Sequence, residues 1–421
     1  MEKSNFYLQR YGFPKSLFFS DPHPDLGMIV VIPCFNEKDL IRSLSSLISC
    51  ADTQCAVEIL VIVNDSERAS PEMLAQNQVT YEQSVLWAKK NDSPKRRILL
   101  HYESRLPHKQ SGVGMARKIG MDEAVRRLDK ANRDKGIIIC FDADSQCDGN
   151  YLSAIEQHFS HHQKCNGASI YFEHPLEGDL SPAHYKGIIF YELFLRYYVN
   201  ALRYAGFPFA YQTIGSSMAV RSDVYQKQGG MNKRKAGEDF YFLHKVIPLG
   251  NFHEINHTRV IPSARSSDRV PFGTGKAISD WLSRNEDHYL TYAPETFRDL
   301  KAFLDQASHL FRMKESAATR HLEKLPKSIA TFLAENNFIE NLNEINQYCG
   351  PTPEAFLKRF YAWFNGFKVL KFVHFSRDNF HGNVNIEKAT QWLLSTHLEE
   401  QHVPVSAKAQ LIKLRKIDRE A

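Results

Sequence analysis

The stretch Gly136-Ile-Ile-Ile-Cys-Phe-Asp-Ala-Asp-Ser145 decides the fold, because an apolar run ends there in two carboxylates. A short apolar run bounded by polar residues predicts a central strand of an α/β sheet. Asp142 and Asp144 then lie at the carboxyl end of that strand, where open α/β sheets bind their ligands. Side chains at i and i+2 of an extended chain face the same way, so the two acids offer hard oxygen ligands suited to Mg²⁺ or Mn²⁺. The alternative is a solvated turn, since Asp-x-Asp is a common sequence.

Two apolar runs upstream end at polar corners in the same way. The first leads into Pro33-Cys-Phe-Asn36-Glu37 and the second into Asn64-Asp65. An amphipathic helix from Leu40 to Ile48 follows the first run, with Asn36 as a plausible N-cap, and a second helix is expected near Thr80 to Lys90. Alternating apolar strands and amphipathic helices are typical of a largely parallel sheet.

Glycine-bearing motifs complete the series. The segment Gly112-Val-Gly-Met-Ala-Arg117 opens a helix just before the Asp-Ala-Asp strand. A pair, Gly229-Gly230, follows a further strand predicted over Thr213 to Arg221, and Gly237-Glu238-Asp239 opens another helix.

The ordered set of motifs between Gly27 and Arg265 resembles the bacterial type of family 2 nucleotide-sugar glycosyltransferases. Each motif is weak alone, and their order and spacing make the match specific. The resemblance implies the GT-A fold, which is Rossmann-like with a mainly parallel central sheet flanked by helices. The motifs that carry it are Pro33-x-x-Asn36-Glu37, Val63-Asn64-Asp65, Gly114-x-x-Arg117, Phe141-Asp-Ala-Asp144, Gly229-Gly230 and Glu238-Asp239.

The resemblance assigns the donor side of the site. It makes Asp144 the direct metal ligand, with Asp142 on the ribose or a metal-bound water. It also places Pro33, Asn36, Glu37, Asn64 and Asp65 near the base and ribose. This chain has Asn64 where many members carry a second acid, which leaves Asp65 as the surer contact. Glu37 has an alternative role as a charge that complements the helix dipole.

The resemblance also assigns the catalytic pair, Glu238 and Asp239. It makes Asp239 the general base of an inverting reaction, and Gly215 and Ser216 belong to the segment that lines the acceptor side. A carboxylate beside a desolvated hydroxyl can take its proton in the transition state. The alternative for both acids is N-terminal helix capping.

Basic residues supply candidates for binding the diphosphate. Arg265 and Arg269 lie in a segment rich in serine and glycine and are expected to clamp the diphosphate, unless the segment is a solvated loop. Arg117 has a fork suited to a carboxylate or phosphate, with an outer-face salt bridge as its alternative. His257 is a candidate third metal ligand by resemblance, although lone histidines are usually structural.

Composition limits the classes of function. The net charge of +5 suits anionic substrates, and it is too small and too scattered to indicate nucleic-acid binding. Seven cysteines without a Cys-x-x-Cys pair favour a reducing cytoplasm over a disulfide framework. Because neither a signal core nor an apolar stretch of about 18 residues occurs, we expect a cytoplasmic protein, with peripheral attachment to the inner face of the membrane as the alternative.

The chain is predicted to have three regions: an N-terminal arm over residues 1–26, a GT-A domain over 27–275 and an α-helical region over 276–421. The aromatic helix Tyr185 to Tyr204 is expected to be buried or half-buried, with a membrane-surface helix as the alternative. The C-terminal helices are expected to pack on the catalytic domain or to form a homodimer contact, and the tail Lys408 to Arg419 to be a solvated helix end.

These observations predict a metal-dependent hexosyltransferase that inverts the anomeric centre by direct displacement. It would move a sugar from a UDP- or GDP-sugar to a hydroxyl of a glycan, lipid-linked glycan or small molecule. The alternatives are a retaining transferase of the same fold and a non-catalytic sugar-nucleotide-binding or scaffold protein on a decayed transferase. A nucleotidyltransferase is disfavoured because Pro33-Cys-Phe-Asn-Glu37 stands where that class needs a glycine-rich loop with an arginine.

Overall fold

The computed structural model describes residues 5–267, 273–284, 287–398, 400 and 402–420. The chain forms two compact units. Unit 1 contains Met1–Ile188, Thr213–Leu282 and Asp418–Ala421, and unit 2 contains Ile189–Gln212 and Ser283–Ile417. Each unit is therefore built from separate segments of the chain that alternate with those of the other unit. The boundary between residues 275 and 276 that the sequence suggests remains a prediction.

An eight-stranded sheet runs through unit 1. Its strand order is β3-β2-β1-β4-β7-β6-β8-β5. Strands β1 to β4 are parallel neighbours, β7 runs antiparallel to β4 and β6, and β6 pairs in parallel with β8. The predicted mainly parallel sheet is thus confirmed. The strands are β1 (Leu26–Cys34), β2 (Ala56–Ser66), β3 (Arg96–Leu106), β4 (Ile137–Cys140), β5 (Gln146–Cys147), β6 (Gly167–Phe172), β7 (Met218–Arg221) and β8 (Phe252–Ile261).

Helices flank this sheet. They are α1 (Phe6–Arg10), α2 (Leu40–Ile48), α3 (Pro71–Asn91), α4 (Val113–Lys130), α5 (Tyr151–His161), α6 (Pro182–Tyr204, shared with unit 2), α7 (Ser222–Lys227), α8 (Glu238–Val246) and α9 (Thr274–Arg284). Helix α4 packs closely on the sheet because Gly120 has no Cβ, which would otherwise overlap the Val31 side chain.

Three local expectations need correction. Asn36 has φ of 47° and lies outside α2, whose N-cap is Asp39, so Asn36 does not cap that helix. Helix α3 begins at Pro71, well before the expected Thr80, because the Ser70 side chain caps it and proline suits the first turn. The strand expected to begin at Thr213 begins only at Met218.

The N-terminal arm packs on α4 through one buried acid. Asp122 accepts hydrogen bonds from the Tyr7 hydroxyl at 2.7 Å and the Phe13 backbone N–H at 2.8 Å. It also pairs with Lys118 at 2.9 Å. Burying one carboxylate with several donors ties the arm to the helix that carries Arg117.

Unit 2 is helical, as predicted for the C-terminal region. Its core is aromatic, with the Phe303 ring 5.1–5.8 Å from the rings of Phe338, Phe360 and Phe364. Besides a small sheet of β9 (Leu290–Thr291) and β10 (Val384–Asn385), its elements are α10 (Pro294–Leu304), α11 (Glu315–Lys324), α12 (Lys327–Glu335), α13 (Phe338–Tyr348), α14 (Pro353–Trp363), α15 (Gly366–Asn379), α16 (Ile386–Thr396) and α17 (Ala407–Glu420, which belongs to unit 1 from Asp418 on).

The expected surface helix α17 is partly buried, and the aromatic helix α6 is buried or half-buried over most of its length, as expected. Helix α17 is not a solvated end, because Leu411 and Leu414 are fully buried. In the part of α6 that belongs to unit 2, the buried Glu192 pairs with Arg196 at 2.9 Å and with Arg415 at 2.6 Å. Among the described residues, none of the helices has the length and apolarity needed to cross a membrane.

Candidate active site

Three parallel strands bring the predicted acids to one edge of the sheet. In the register of the sheet, Val31 of β1 pairs with Cys140 of β4, and Cys34 pairs with Val63 of β2. Parallel strands end at the same edge. The residues that follow these strands, Asn36-Glu37, Asn64-Asp65 and Asp142 to Asp144, therefore lie along that edge.

Arg117 joins two of the sequence motifs in a buried ion cluster. It is 3% exposed, and its two terminal nitrogens donate to Glu238 and Asp142. The guanidinium thus holds the Glu-Asp motif against the Asp-Ala-Asp motif. The outer-face salt bridge considered for Arg117 is wrong, because the residue is internal and bridges α4, α8 and the end of β4.

Arg265 forms a second bridge of the same kind. Its Nη2 donates to Glu37 and, at 2.9 Å, to Asp144 Oδ2. Glu37 is 1% exposed, and its other oxygen accepts the Asp39 backbone N–H at 2.9 Å. Glu37 therefore supports Arg265 from within the protein, whereas the sequence placed it at the nucleotide or at the helix dipole.

Asp239 lies half-buried beside the Arg117 cluster. Its Oδ1 accepts the Phe240 backbone N–H at 2.7 Å. Burial raises the pKa of Asp239, and the Asp142 charge adds to the rise, while Arg117 and backbone amides oppose it. Burial likewise raises the pKa of Glu238, against the opposing effect of Arg117. Of the two acids, Glu238 is the one that pairs directly with Arg117.

Hydrogen bonds of two asparagine side chains connect the loops at this edge of the sheet. Asn77 of α3 accepts the Asn36 backbone N–H at 2.7 Å and donates to the Asn64 carbonyl at 3.2 Å. The Asn64 side chain donates to the Ser111 carbonyl at 2.9 Å, just before α4. Asn64 is thus buried scaffold, and its amide is engaged by the backbone instead of being open to a substrate. Asn77 was not predicted, since a polar residue inside a helical stretch gives no distinct signal.

Three buried polar atoms around these bridges have no hydrogen-bond partner in the part of the chain that the structure describes: Asp65 Oδ2, Arg117 Nε and Arg265 Nε. Such atoms are costly and call for an explanation, such as a bound ligand. The Asp65 Oδ1 accepts the Arg105 backbone N–H at 2.6 Å. Burial, followed by a hydrogen bond to the Asp65 carboxylate and then by its charge, raises the pKa of Tyr102 to about 12. Tyr102 is a further neighbour of the site that the sequence did not indicate.

The remaining predicted residues are placed as follows. Pro33 is buried in β1, and Gly215 and Ser216 are buried in the turn before β7. His257 is exposed on β8, four residues before Ile261, which pairs with Gln146. Among the described residues, His257 does not form a three-ligand group with Asp142 and Asp144. Arg269 lies outside the described residues.

The two acids of the Asp-Ala-Asp motif fit a hard divalent cation. The side chains of Asp142 and Asp144 are 37% and 23% exposed, and both offer carboxylate oxygens at the open edge. Mg²⁺ is commonly held by one or two carboxylates plus substrate phosphates and water. Among the described residues, a group of three or more potential ligands occurs only elsewhere, at His158, His162 and His253. The donor set therefore suits a cation that shares its shell with a substrate.

Gly215 gives a direct test of the Arg117 cluster. A Cβ at this position would overlap the Arg117 guanidinium. We expect Gly215→Ala to displace Arg117 and to lower the free energy of unfolding by about 1–3 kcal/mol, the usual cost of overpacking. Denaturant unfolding measures this change. Gly149→Ala is the matched control, because a Cβ there meets nothing within 4 Å. Equal stability of both variants would contradict the role given to Gly215.

Comparisons with known proteins agree with the motifs. Residues 29–214 match the sequence model of glycosyl transferase family 2. No curated protein matches the chain.

Solved structures of S. aureus TarS resemble the chain distantly. TarS 1–349 in complex with UDP-GlcNAc has a TM-score of 0.41 and 12% identity, over 76% of this chain and 91% of that one. The same TarS fragment in complex with UDP has a TM-score of 0.38 and 13% identity, over 94% and 90%. At these TM-scores the neighbours do not bear on the ligand of this chain. The family match has its motifs gathered at one edge of a GT-A-like sheet, and it identifies residues 29–214 as a family 2 glycosyltransferase domain.

Proposed function

We propose that the protein is a metal-dependent, inverting glycosyltransferase that uses a UDP- or GDP-sugar and a hydroxyl acceptor. The observation that carries the proposal is the Arg117 bridge, which ties Glu238 of one motif to Asp142 of the other. It fixes the half-buried Asp239 beside the acids that would face a diphosphate. A base and a diphosphate site next to each other are what direct sugar transfer requires.

The donor side would be held by charge and by the unpaired polar atoms. A bound Mg²⁺ or Mn²⁺, held by Asp144 and Asp142, would neutralise charge on the leaving diphosphate. Arg265, already 2.9 Å from Asp144, would move its guanidinium toward the diphosphate oxygens. Asp65 Oδ2, buried without a hydrogen bond from any described residue, would accept one from the ribose or base.

The acceptor side would depend on Asp239. Its carboxylate takes the proton of the acceptor hydroxyl as that oxygen bonds to the anomeric carbon. The bond from the anomeric carbon to the diphosphate breaks, and the diphosphate leaves with the electron pair. Attack from the face opposite the leaving group inverts the anomeric configuration. Glu238 acts as a positioning residue, because it holds Arg117.

A binding panel followed by product analysis tests this proposal. UDP- and GDP-sugars, each with and without Mn²⁺, are compared by thermal shift, since a ligand that binds the native state raises the melting temperature. The donor that stabilises the protein only with Mn²⁺ is then used in turnover assays. We expect the NMR signal of the anomeric proton to show that the product has the anomeric configuration opposite to that of the donor. Failure of every donor, or a retained configuration, would contradict the proposal.

The pH dependence of turnover follows from the raised pKa of Asp239. A general base works only when deprotonated, so activity is present above its pKa and is lost as the pH falls through it. We expect kcat/KM to fall on the acid side with a midpoint above the ordinary aspartate value of about 3.9. A profile of kcat/KM against pH measures the midpoint. Full activity at about pH 4 would exclude a base with a raised pKa.

The acceptor is a glycan, a lipid-linked glycan or a small molecule, and a homodimer remains a prediction from the aromatic C-terminal helices. We place the enzyme in the cytoplasm on the cysteine pattern of the sequence, with attachment at the inner membrane face as the alternative.

A further inference from the structure

Three histidines form a compact cluster apart from the residues discussed above. His158 lies in the last turn of α5, His162 ends that helix, and His253 lies on β8. One ring nitrogen of each lies within 4.8 Å of the other two. The ring centroids are 4.5–5.1 Å apart. Spacing of i and i+4 puts His158 and His162 on one face of the helix, which faces the strand.

The nitrogen positions agree with those around a tetrahedral metal ion. Zn–N bonds of about 2.0–2.1 Å place the nitrogens of two ligands roughly 3.3–3.4 Å apart. His158 Nε2 lies 3.0 Å from His253 Nδ1, so a small opening of this pair would admit an ion. His162 Nδ1 lies 3.0 Å from the His158 carbonyl and donates to it, which leaves the lone pair on Nε2. Metal-binding histidines are commonly oriented by such a bond from their other nitrogen.

Two of the three imidazoles have lowered pKa values. Burial, and then the neighbouring histidines, lower the pKa of His158 to about 4. Burial followed by His162 lowers the pKa of His253. Neutral imidazoles bind metals, whereas protonated imidazoles do not. At neutral pH His158 and His253 are therefore neutral, and one of them donates the 3.0 Å hydrogen bond to the other, so a cation that binds both would displace the proton between them.

We propose that His158, His162 and His253 bind a divalent transition cation of the Zn²⁺ class, with water in the remaining position. Three imidazoles favour Zn²⁺, Cu²⁺ or Ni²⁺ over the Mg²⁺ and Mn²⁺ that suit carboxylates. The site is separate from Asp142 and Asp144 and does not depend on the proposed function. The ion would link the end of α5 to β8, the strand that leads on to Arg265. Its effect is to stabilise the sheet edge of unit 1.

A cysteine pair is the competing site for a soft cation. The sulfurs of Cys50 and Cys147 lie 3.7 Å apart. Thiolates also bind Zn²⁺, so the experiment must separate sulfur from imidazole ligands. The Cys50→Ser, Cys147→Ser double variant provides this control.

The test is Zn²⁺ titration of the full chain after removal of metals with a chelator. Calorimetry should show one Zn²⁺ ion bound tightly per chain, and the melting temperature of the protein should rise with the Zn²⁺ concentration. His162→Gln should weaken that binding by about 10²-fold or more, because even a supporting residue of a metal site is worth 10–100-fold. His162 is exposed, so this variant should fold, which circular dichroism checks. His309→Gln removes another exposed histidine and should bind Zn²⁺ as the unmodified chain does.

Two outcomes would overturn the proposal. The first is unchanged Zn²⁺ affinity in both His162→Gln and His253→Gln. The second is a Co²⁺ spectrum with a thiolate charge-transfer band that disappears in the cysteine double variant, which would place the ion on sulfur. A Co²⁺ spectrum without that band, abolished by His162→Gln, is the result expected.

Discussion

Asp239→Asn is expected to lower turnover by about 10²–10⁴, the usual contribution of a positioned general base. The substitution keeps size and polarity and removes only the proton-accepting charge. Asp239 touches the Phe240 amide and lies next to the Arg117 cluster without being its direct hydrogen-bond partner, so the fold should persist. Donor binding should also persist, because the acids that would face the diphosphate are unchanged. Steady-state kinetics with the donor identified by thermal shift measures the loss.

Glu238→Gln is the matched control for that prediction. Glutamine retains the shape of Glu238 but weakens its pairing with Arg117. The guanidinium keeps Asp142 as a partner, so we expect lower stability and a smaller loss of turnover than in Asp239→Asn. If the order of the two turnover losses were reversed, Glu238 would be the base. A product that keeps the anomeric configuration of the donor would exclude a direct displacement assisted by Asp239, even if Asp239→Asn were inactive.

The strand ends could be predicted because their signal is local. An apolar run that stops at Asp142 or at Asn64-Asp65 shows both the strand and its carboxyl end. Parallel pairing then places these ends together, which the register of β1, β2 and β4 confirms. The start of α8 at Glu238 was predictable for the same reason, since Gly237 adopts the left-handed conformation that glycine favours.

The partners of the charged residues could not be predicted, because they are distant in sequence. Arg117 and Glu238 are 121 residues apart, and Arg265 and Glu37 are 228 residues apart. From sequence alone, an arginine can be expected to bind either a carboxylate or a phosphate. Only the fold determines which of these groups lies next to it. Both arginines therefore appeared as substrate contacts, whereas the structure first engages them with acids of the protein.

The histidine cluster shows the same limit. His158 and His162 have the i, i+4 spacing of two ligands on a helix, and this signal was present in the sequence. The third member, His253, lies 95 residues from His158, and only the pairing of β6 with β8 defines its place. The single histidine chosen from the sequence, His257, lies on the same strand and is exposed.

Asp144→Ala is expected to reduce the Mn²⁺-dependent affinity for a nucleoside diphosphate by at least about 10²-fold, since removing a residue that only supports a metal ligand already costs about 10–100-fold. Arg265 would keep Glu37 as a partner, so the fold should tolerate the change. Calorimetry of UDP and GDP with and without Mn²⁺ measures the effect.

Asp148→Ala separates loss of a metal ligand from loss of an ion pair. Asp148 also pairs with an arginine, Arg259, at 2.9 Å, and it lies outside the Asp-Ala-Asp motif. If Asp144 only neutralises Arg265, then Asp144→Ala leaves the Arg265 charge available to the diphosphate. The affinity for the nucleoside diphosphate without Mn²⁺ would then rise. If Asp144 is a metal ligand, the metal-dependent part of the affinity disappears in Asp144→Ala and remains in Asp148→Ala. Unchanged Mn²⁺-dependent affinity in Asp144→Ala would therefore contradict the assignment of Asp144 as a metal ligand.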